Sequence, residues 1–207
     1  MSFTAQDARV LEEVLRWRRD VRHFRTTPID EAVIEAIHAA MELAPSVGNA
    51  RPWRVVRVES AGARAAVRAS FEACTADAAD TYTGERRAAY LRLKLAGLDA
   101  APLQLAVFTL ADPAEGHGLG RHTLPQTLDQ STAMAIHTLW LAARVRDIGM
   151  GMVSILDGAA VERICAVPPS WRFSAYLCLG YPEQEDDTPL LHRLGWQANT
   201  RAEWSRI

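Results

Sequence analysis

The stretch TLDQSTAMAIHTLWLAARVRDIGMGMVSIL, residues 127–156, predicts a helix followed by a strand and so indicates the class of the fold. Its first part, 127–147, is apolar nearly all round and has no charged residue between Gln130 and Ala143, which predicts a deeply buried helix. The uncharged part is too short for a membrane span, which needs about 20 apolar residues. The segment GMGMVSIL that follows, residues 149–156, predicts a strand of the core.

The rest of the chain contributes more helices than strands. Thr4 and Asp30 are suited to cap two amphipathic helices, and Pro45 ends the second. The Ala- and Arg-rich residues 61–98 predict two further helices with a break near DTYTGE. The remaining strands are predicted at WRVVRV (53–58), QLAVFTL (104–110) and FSAYLCLGY (173–181). Because helices and strands do not alternate regularly, the sequence favours an α+β fold over a doubly wound sheet.

Chain length and net charge limit the classes of function that the protein can have. The chain has 207 residues, and we interpret 1–207 as a single domain with its own core. Its net charge of −2 argues against binding nucleic acid or a membrane surface, because phosphates in bulk require a basic face. The N-terminal residues show no signal-peptide pattern. Three separated cysteines in apolar or Ala-rich surroundings are typical of reduced thiols in a cytoplasmic protein: Cys74, Cys165 and Cys178.

The stretch RRDVRHF, residues 18–24, gathers three arginines around one carboxylate at the predicted end of the first helix. One interpretation is a solvated helix end, where cations complement the helix dipole. The other is a binding site for an anion, because guanidinium groups offer parallel donors and stay charged when water is removed. On this motif alone, both interpretations remain open.

The loop DPAEGHGLGRHTLP, residues 112–125, carries two weaker motifs. His117 and His122 lack partners at the spacing of metal ligands, so no metal site is expected. The GHGLG motif does not lie at a strand-to-helix turn, and we do not interpret it as a dinucleotide-binding motif.

Six segments together resemble the nitroreductase superfamily of FMN-binding proteins, and more closely its 5,6-dimethylbenzimidazole synthase branch. They are RRDVRHF (18–24), APSVGNARPW (44–53), ERRAAYLRLKLAGLDAAPL (85–103), LPQTLDQSTAMAIHTLWLAARVRDIGMGMVSIL (124–156), YLCLGYPEQEDDTP (176–189) and LGWQ (194–197). The resemblance implies a central, mostly antiparallel sheet flanked by helices, with FMN at the interface of a homodimer. It also implies the activity of that branch, the oxygen-dependent fragmentation of reduced FMN to 5,6-dimethylbenzimidazole, the lower ligand of cobalamin.

The resemblance further implies FMN contacts in four segments. They are Arg18, Arg19, Asp20, Val21 and Arg22 in the opening motif; Ser46, Asn49, Arg51 and Pro52 in a loop that the second protomer helps to supply; Val153, Ser154 and Ile155 beside the flavin ring; and Gln197 and Arg201 near the C-terminus. Asp20 replaces the usual serine of the superfamily and matches the synthase branch. Arg51 stands where the synthases usually carry glutamine, so it can compete for the flavin carbonyls or fold away.

Asp20 and Ser154 are the catalytic candidates. Asp20 can act as the base near the ribityl chain, because a carboxylate accepts a proton more readily than a serine hydroxyl does. Ser154 can hydrogen-bond the flavin or relay a proton, or it can be a strand serine satisfied by the backbone. Residues 84–98 resemble a lid that excludes water by closing, and residues 182–207 form a C-terminal tail.

Two other functions are consistent with the same motifs. An FMN-dependent NAD(P)H nitroreductase or quinone reductase keeps its flavin intact; Asn49 favours this function, whereas Asp20 and the 84–98 segment oppose it. The second is a flavin-binding dimer without turnover. For the synthase, reduced FMN and O2 are the substrates, and a separate flavin reductase that supplies reduced FMN is a candidate partner.

Overall fold

The computed structural model describes residues 1–93 and 97–207, with seven α-helices, two short 3-10 helices and four strands in that part of the chain. The helices are α1 (Ala5–Trp17), α2 (Glu31–Met41), α3 (Ala61–Asp80), α4 (Gly84–Arg92), α5 (Thr127–Arg144), α6 (Gly158–Ile164) and α7 (Leu190–Arg193). The strands are β1 (Trp53–Arg57), β2 (Leu103–Leu110), β3 (Gly149–Val153) and β4 (Trp171–Gly180). This arrangement confirms the predicted α+β class.

The four strands form one antiparallel sheet in the order β1-β2-β4-β3. Strand β2 and residues 175–180 of β4 are buried on both faces, which explains why these stretches are almost continuously apolar. Alternate residues of β2 enter different cores. Leu105 and Val107 pack with α2 and α5 on one face, and Ala106 and Phe108 pack with the residues beneath α3 and α6 on the other.

The helix starts follow the predicted capping chemistry. The Thr4 hydroxyl accepts a hydrogen bond from the Asp7 N–H at 3.3 Å, and the Asp7 carboxylate accepts one from the Thr4 N–H at 2.7 Å. This reciprocal pair satisfies two backbone donors that a helix end leaves without partners. Asp30 caps α2 by accepting from the Ala32 N–H at 2.8 Å.

Helix α5 differs from the prediction of burial all round. It ends at Arg144, and one face is buried against the sheet and α2, whereas Ala133, Met134 and His137 are exposed. Only one side of a helix that packs on a sheet is covered by that sheet, so the other face needs a different cover.

Helix α1 lies beside α5 and has no buried residue, although its apolar residues repeat at helical spacing. Val10 and Leu11 are 52% and 53% exposed. Leu15 of α1 and Met134 of the neighbouring α5 are also exposed, and these four residues are called here the α1–α5 surface. Exposed large apolar residues that occur in groups are characteristic of interaction sites.

The C-terminal segment (residues 182–197) folds back along the chain. Phe24 pairs with Pro182, and the Glu183 N–H donates to the His23 carbonyl at 3.1 Å. The predicted tail is therefore in contact with the RRDVRHF stretch at its beginning. No helix in the described ranges is long and apolar enough to cross a membrane.

Candidate active site

The RRDVRHF stretch leaves α1 and runs beside β3. Asp20 pairs with Met150 in a parallel bridge, and the Val21 N–H donates to the Met150 carbonyl at 3.0 Å. This approach requires Gly151, because a Cβ atom there would lie 2.2 Å from the Val21 carbonyl oxygen. The glycines of GMGMV thus allow an additional strand-like segment to lie against the edge of the sheet.

The Asp20 carboxylate is held from two sides. Its Oδ1 accepts from the Met152 N–H at 3.0 Å, and its Oδ2 accepts from Arg22 Nε at 2.8 Å. The Arg22 side chain is 10% exposed and that of Asp20 is 34% exposed. The guanidinium therefore lies inside, while part of the carboxylate faces open space.

Ser154 follows β3, two residues beyond the Met152 N–H that binds this carboxylate. Met152 and Ser154 are exposed, whereas Val153 between them is buried, so alternate side chains point to the open face. The Ser154 hydroxyl has no hydrogen-bond partner within residues 1–93 and 97–207, so the alternative of a backbone-satisfied serine is not observed there. Ile155 lies beyond the end of β3 and is partly buried.

Arg18 lies over the ring of Trp140 on α5, with its Cζ 4.6 Å from the ring centroid. Burial, and then the nearby charge of Arg19, lower the pKa of Arg18, while Asp20 opposes that shift. Its side chain donates no hydrogen bond to the described part of the chain. A guanidinium that has lost part of its hydration, and whose N–H groups have no acceptor in the described part of the chain, is suited to bind an anionic ligand.

Arg19 makes different contacts. Its Nε and Nη2 donate to the Asp187 carbonyl at 2.8 and 2.5 Å, and its Nη1 donates to the Arg18 carbonyl at 3.0 Å. The guanidinium therefore holds the C-terminal segment. An anion that approaches Arg19 has to share these donors or replace the carbonyls.

A cavity of about 220 Å³ lies between Arg19 and the C-terminal segment. Two further arginines line it that the sequence reasoning missed, Arg144 of α5 and Arg193 of α7. Arg144 pairs with Glu185 at 2.7 Å, and Arg193 pairs with Asp186 at 2.9 Å. The feature of the sequence that could have predicted these two arginines is the acidic run EQEDD after β4. Acidic side chains that fold against the rest of the chain are expected to pair with basic ones.

The loop 46–52 is constrained and partly strained. The Ser46 hydroxyl accepts from the Arg51 N–H at 3.0 Å, and the Val47 N–H donates to Ser131 Oγ of α5 at 3.0 Å. Asn49 and Arg51 have φ angles of 55° and 44°, a region that costs energy for residues other than glycine. Strain of this kind is concentrated at functional sites.

Two of the predicted contacts in this loop have specific environments. Arg51 is 3.9 Å from Glu42, so its side chain turns towards that carboxylate. The interpretation of Arg51 as an FMN contact stays a prediction. Pro52 is buried, and its carbonyl accepts from the Leu110 N–H at 2.7 Å.

The loop 46–52 and the RRDVRHF stretch contact different ends of α5. Val47 is bonded to Ser131 and Arg18 lies over Trp140, nine residues further along the helix. Nine residues correspond to about 14 Å along a helix axis. Within one chain, the residues of the loop 46–52 and those of the RRDVRHF stretch therefore form two separate groups.

The C-terminal candidates lie apart from the cavity. The Gln197 side chain is exposed and donates to the Ala198 carbonyl at 3.3 Å, and Arg201 is exposed in a stretch without regular structure. Neither lines the cavity beside Arg19. The interpretation of both residues as FMN contacts stays a prediction.

The predicted lid, 84–98, is described in part. Helix α4 accounts for most of it, and residues 94–96 lie outside the described residues. Gly97 packs against the ring of Phe24, where a Cβ atom would lie 2.2 Å from Phe24 Cε2. The end of this segment is therefore in direct contact with the RRDVRHF stretch.

In the part of the chain that is described, no three His, Cys, Asp or Glu residues form a group that could hold a metal ion.

Comparison with known proteins agrees with this architecture. Residues 15–181 match the Nitroreductase family. The chain is 63% identical over 206 residues to a 5,6-dimethylbenzimidazole synthase of Rhodobacter capsulatus, and the match covers the whole of both chains. It is 52% identical over 188 residues to the 5,6-dimethylbenzimidazole synthase of Rhodospirillum rubrum, covering 91% of this chain and 89% of that one.

Solved structures share the fold at lower identity. An iodotyrosine deiodinase solved with FMN and 3-iodo-L-tyrosine superimposes with a TM-score of 0.73 at 21% identity. The superposition covers 95% of this chain and 97% of the deiodinase.

Proposed function

This chain belongs to the nitroreductase family, and within it to the 5,6-dimethylbenzimidazole synthases; from that membership we propose that it converts reduced FMN and O2 into 5,6-dimethylbenzimidazole. The observation that carries the proposal is the Asp20 carboxylate, fixed by the Met152 N–H and by Arg22. The superfamily's usual serine at this position cannot provide an anion.

Arg18 and Arg19 suit the phosphate and polar edge of FMN. Arg18 supports this assignment best, because its partly buried guanidinium has a ring contact and no protein acceptor among the described residues. Val21 packs against Gly149 and Arg22 holds Asp20, so both residues act chiefly by placing the backbone and the carboxylate. Charge-assisted hydrogen bonds each contribute about 1.5–3 kcal/mol.

Asp20 accepts a proton from a carbon near the ribityl chain of the substrate. Bound reduced FMN supplies the electrons for O2 and the atoms of the product ring. Ser154, which is exposed two residues beyond the Met152 N–H that holds Asp20, donates a hydrogen bond to the substrate or relays the proton that Asp20 receives. Closure of the segment 84–98 excludes water, which matters because water offers competing routes to a reactive intermediate.

The same site requires a homodimer. The loop 46–52 and the RRDVRHF stretch lie at opposite ends of α5. A twofold axis near α5 brings the loop 46–52 of one protomer to the RRDVRHF stretch of its partner. The α1–α5 surface provides apolar area for that contact. Sedimentation of the FMN-loaded protein is expected to show a dimer, and a loaded monomer would contradict this arrangement.

Product analysis tests the proposed function. Wild-type protein is mixed with chemically reduced FMN and air, and the mixture is separated by chromatography. We expect 5,6-dimethylbenzimidazole in stoichiometric relation to the FMN consumed. Rapid NADPH oxidation with intact FMN and no such product would instead support a nitroreductase. Activity with chemically reduced FMN alone would also show that a separate flavin reductase takes no part in the fragmentation.

A further inference from the structure

Trp196 occupies a defined position after the short helix α7. The Trp196 N–H donates to the Leu191 carbonyl at 2.9 Å, and the Gly195 N–H donates to the His192 carbonyl at 3.0 Å. Gly195 has a φ of 69°. These two bonds around a left-handed glycine form a Schellman motif, which reverses the chain at a helix end. The motif turns the indole of Trp196 away from α7 and towards α4.

The indole meets three side chains from α4 and the turn before it. Its ring is 5.6 Å from that of Tyr82 in an edge-to-face arrangement and 6.3 Å from that of Tyr90. The rings of Tyr82 and Tyr90 are 5.0 Å apart, and the Arg86 guanidinium lies 4.3 Å above the indole. Aromatic pairs and cation–π contacts at these distances are attractive beyond the area that they bury.

The same C-terminal segment reaches the candidate active site at its other end. The Asp187 carbonyl accepts two hydrogen bonds from Arg19, and Glu183 is bonded to the His23 carbonyl. Between these bonds and Trp196 lie only α7 and its cap. The segment therefore joins the arginine stretch to α4 in one continuous set of contacts.

From these contacts we propose that Trp196 is a positioning residue that holds α4, the helix of the predicted lid 84–98, in a closed position. It does so by clamping Arg86 and Tyr90 against Tyr82, and Arg19 fixes the other end of the segment that carries it. The inference rests on the proposed function, because closure matters for a reaction in which water and early release of reduced oxygen compete with ring fragmentation.

Hydrogen exchange of the FMN-loaded dimer tests the clamp without turnover. In Trp196→Ala we expect the backbone amides of residues 84–93 to exchange at least about tenfold faster, because loss of the ring contacts makes local opening easier. Amides of the central strands β2 and β4 should keep their wild-type protection. Trp196→Phe retains an aromatic ring and should restore most of the slow exchange. Unchanged exchange in Trp196→Ala would overturn the proposal, whatever the activity.

Trp204 offers a matched control. It is a tryptophan of the same C-terminal region and is 96% exposed in the chain. Trp204→Ala should leave exchange of residues 84–93 unchanged. An equal acceleration in both alanine variants would show a general effect of the C-terminal region and would overturn the specific clamp.

Product partition then tests the role in the reaction. The ratio of hydrogen peroxide to 5,6-dimethylbenzimidazole should rise about tenfold in Trp196→Ala and return towards wild type in Trp196→Phe. Faster exchange with an unchanged ratio would overturn the positioning role. If the wild type forms no 5,6-dimethylbenzimidazole, the proposed function fails, while the exchange measurement still decides whether Trp196 clamps α4.

Discussion

The Asp20 carboxylate accepts a hydrogen bond from the Met152 backbone N–H at 3.0 Å, across 132 positions of the chain. This bond fixes the proposed base beside the strand that leads to Ser154, which lies two residues beyond Met152. Arg22 holds the second oxygen, and Gly151 provides the space for the approach. Substitutions in this arrangement should therefore separate effects on product formation from effects on FMN binding.

The Asp20→Asn variant should bind FMN but form much less 5,6-dimethylbenzimidazole. The amide oxygen can still accept from the Met152 N–H, but it cannot act as a base. A positioned base contributes about 10²–10⁴-fold, so formation of 5,6-dimethylbenzimidazole should fall by that factor while FMN affinity is retained. Asp20→Ser should behave in the same way, whereas Asp187→Asn, which changes a nearby exposed carboxylate, should form product at the wild-type rate. Wild-type product from Asp20→Asn would remove Asp20 from the mechanism.

Arg18→Ala should weaken FMN binding by about 1.5–3 kcal/mol, because a charge-assisted contact is lost. Arg19→Ala should weaken binding by a similar amount, partly because the contact to Asp187 is also lost. Arg16→Ala, an exposed arginine of α1 paired with Glu13, serves as the control and should bind normally. Titration calorimetry measures all three affinities. Unchanged affinity in both Arg18→Ala and Arg19→Ala would leave these arginines as a solvated helix end.

Gly151→Ala should destabilise the protein by about 1–3 kcal/mol, as insertion of a methyl group into a packed site does. The added Cβ would meet the Val21 carbonyl at 2.2 Å and push Asp20 away from β3, so FMN affinity should fall as well. Gly62→Ala places the same methyl group on α3, where nothing lies within 4 Å, and should stabilise by up to about 1 kcal/mol. Chemical denaturation distinguishes the two. Equal stability of both variants would mean that the close approach at Gly151 is not maintained in solution.

Two buried tyrosines should respond in opposite directions to loss of the hydroxyl. The Tyr176 hydroxyl donates to Gln104 at 2.8 Å, so Tyr176→Phe leaves a buried acceptor without its donor and should cost about 1–3 kcal/mol. The Tyr90 hydroxyl is buried without a partner among the described residues, so Tyr90→Phe should be neutral or stabilising. Thermal unfolding measures both changes. A loss of stability in Tyr90→Phe would show that its hydroxyl has a partner in solution.

Alkaline pH should destabilise the fold through Cys178. Burial, and then the charge of Asp20, raise the pKa of the Cys178 thiol to about 12 from its ordinary value of 9.0. Between these values the unfolded chain has released the proton that the folded chain retains, so the free energy of unfolding falls as pH rises from 9 towards 12. In Cys178→Ala this fall should be shallower. Some slope should remain, because burial also raises the pKa of Tyr176. Denaturant unfolding across this pH range measures the slopes, and equal slopes would contradict the assignment.

Local chemistry allowed much of the fold to be predicted from sequence. Thr4 and Asp30 indicated their helices because a side-chain oxygen at that position satisfies backbone donors that the helix itself cannot. The strands β2 and β4 were predictable because burial on both faces demands nearly continuous apolar sequence. RRDVRHF left an anion site and a solvated helix end both open, because the type of a side chain does not specify its partners.

Contacts between distant segments depended on the tertiary structure. Only the packing of the chain brings Asp20 to Met152, turns Arg51 towards Glu42 and leads the C-terminal segment back to Arg19 and α4. The same packing covers one face of α5 and leaves the α1–α5 surface exposed. The sequence by itself determined which groups could bind an anion or accept a proton, because that is a property of each side chain. Their partners were decided by the fold, since a hydrogen bond or ion pair depends on distances that residue spacing does not specify.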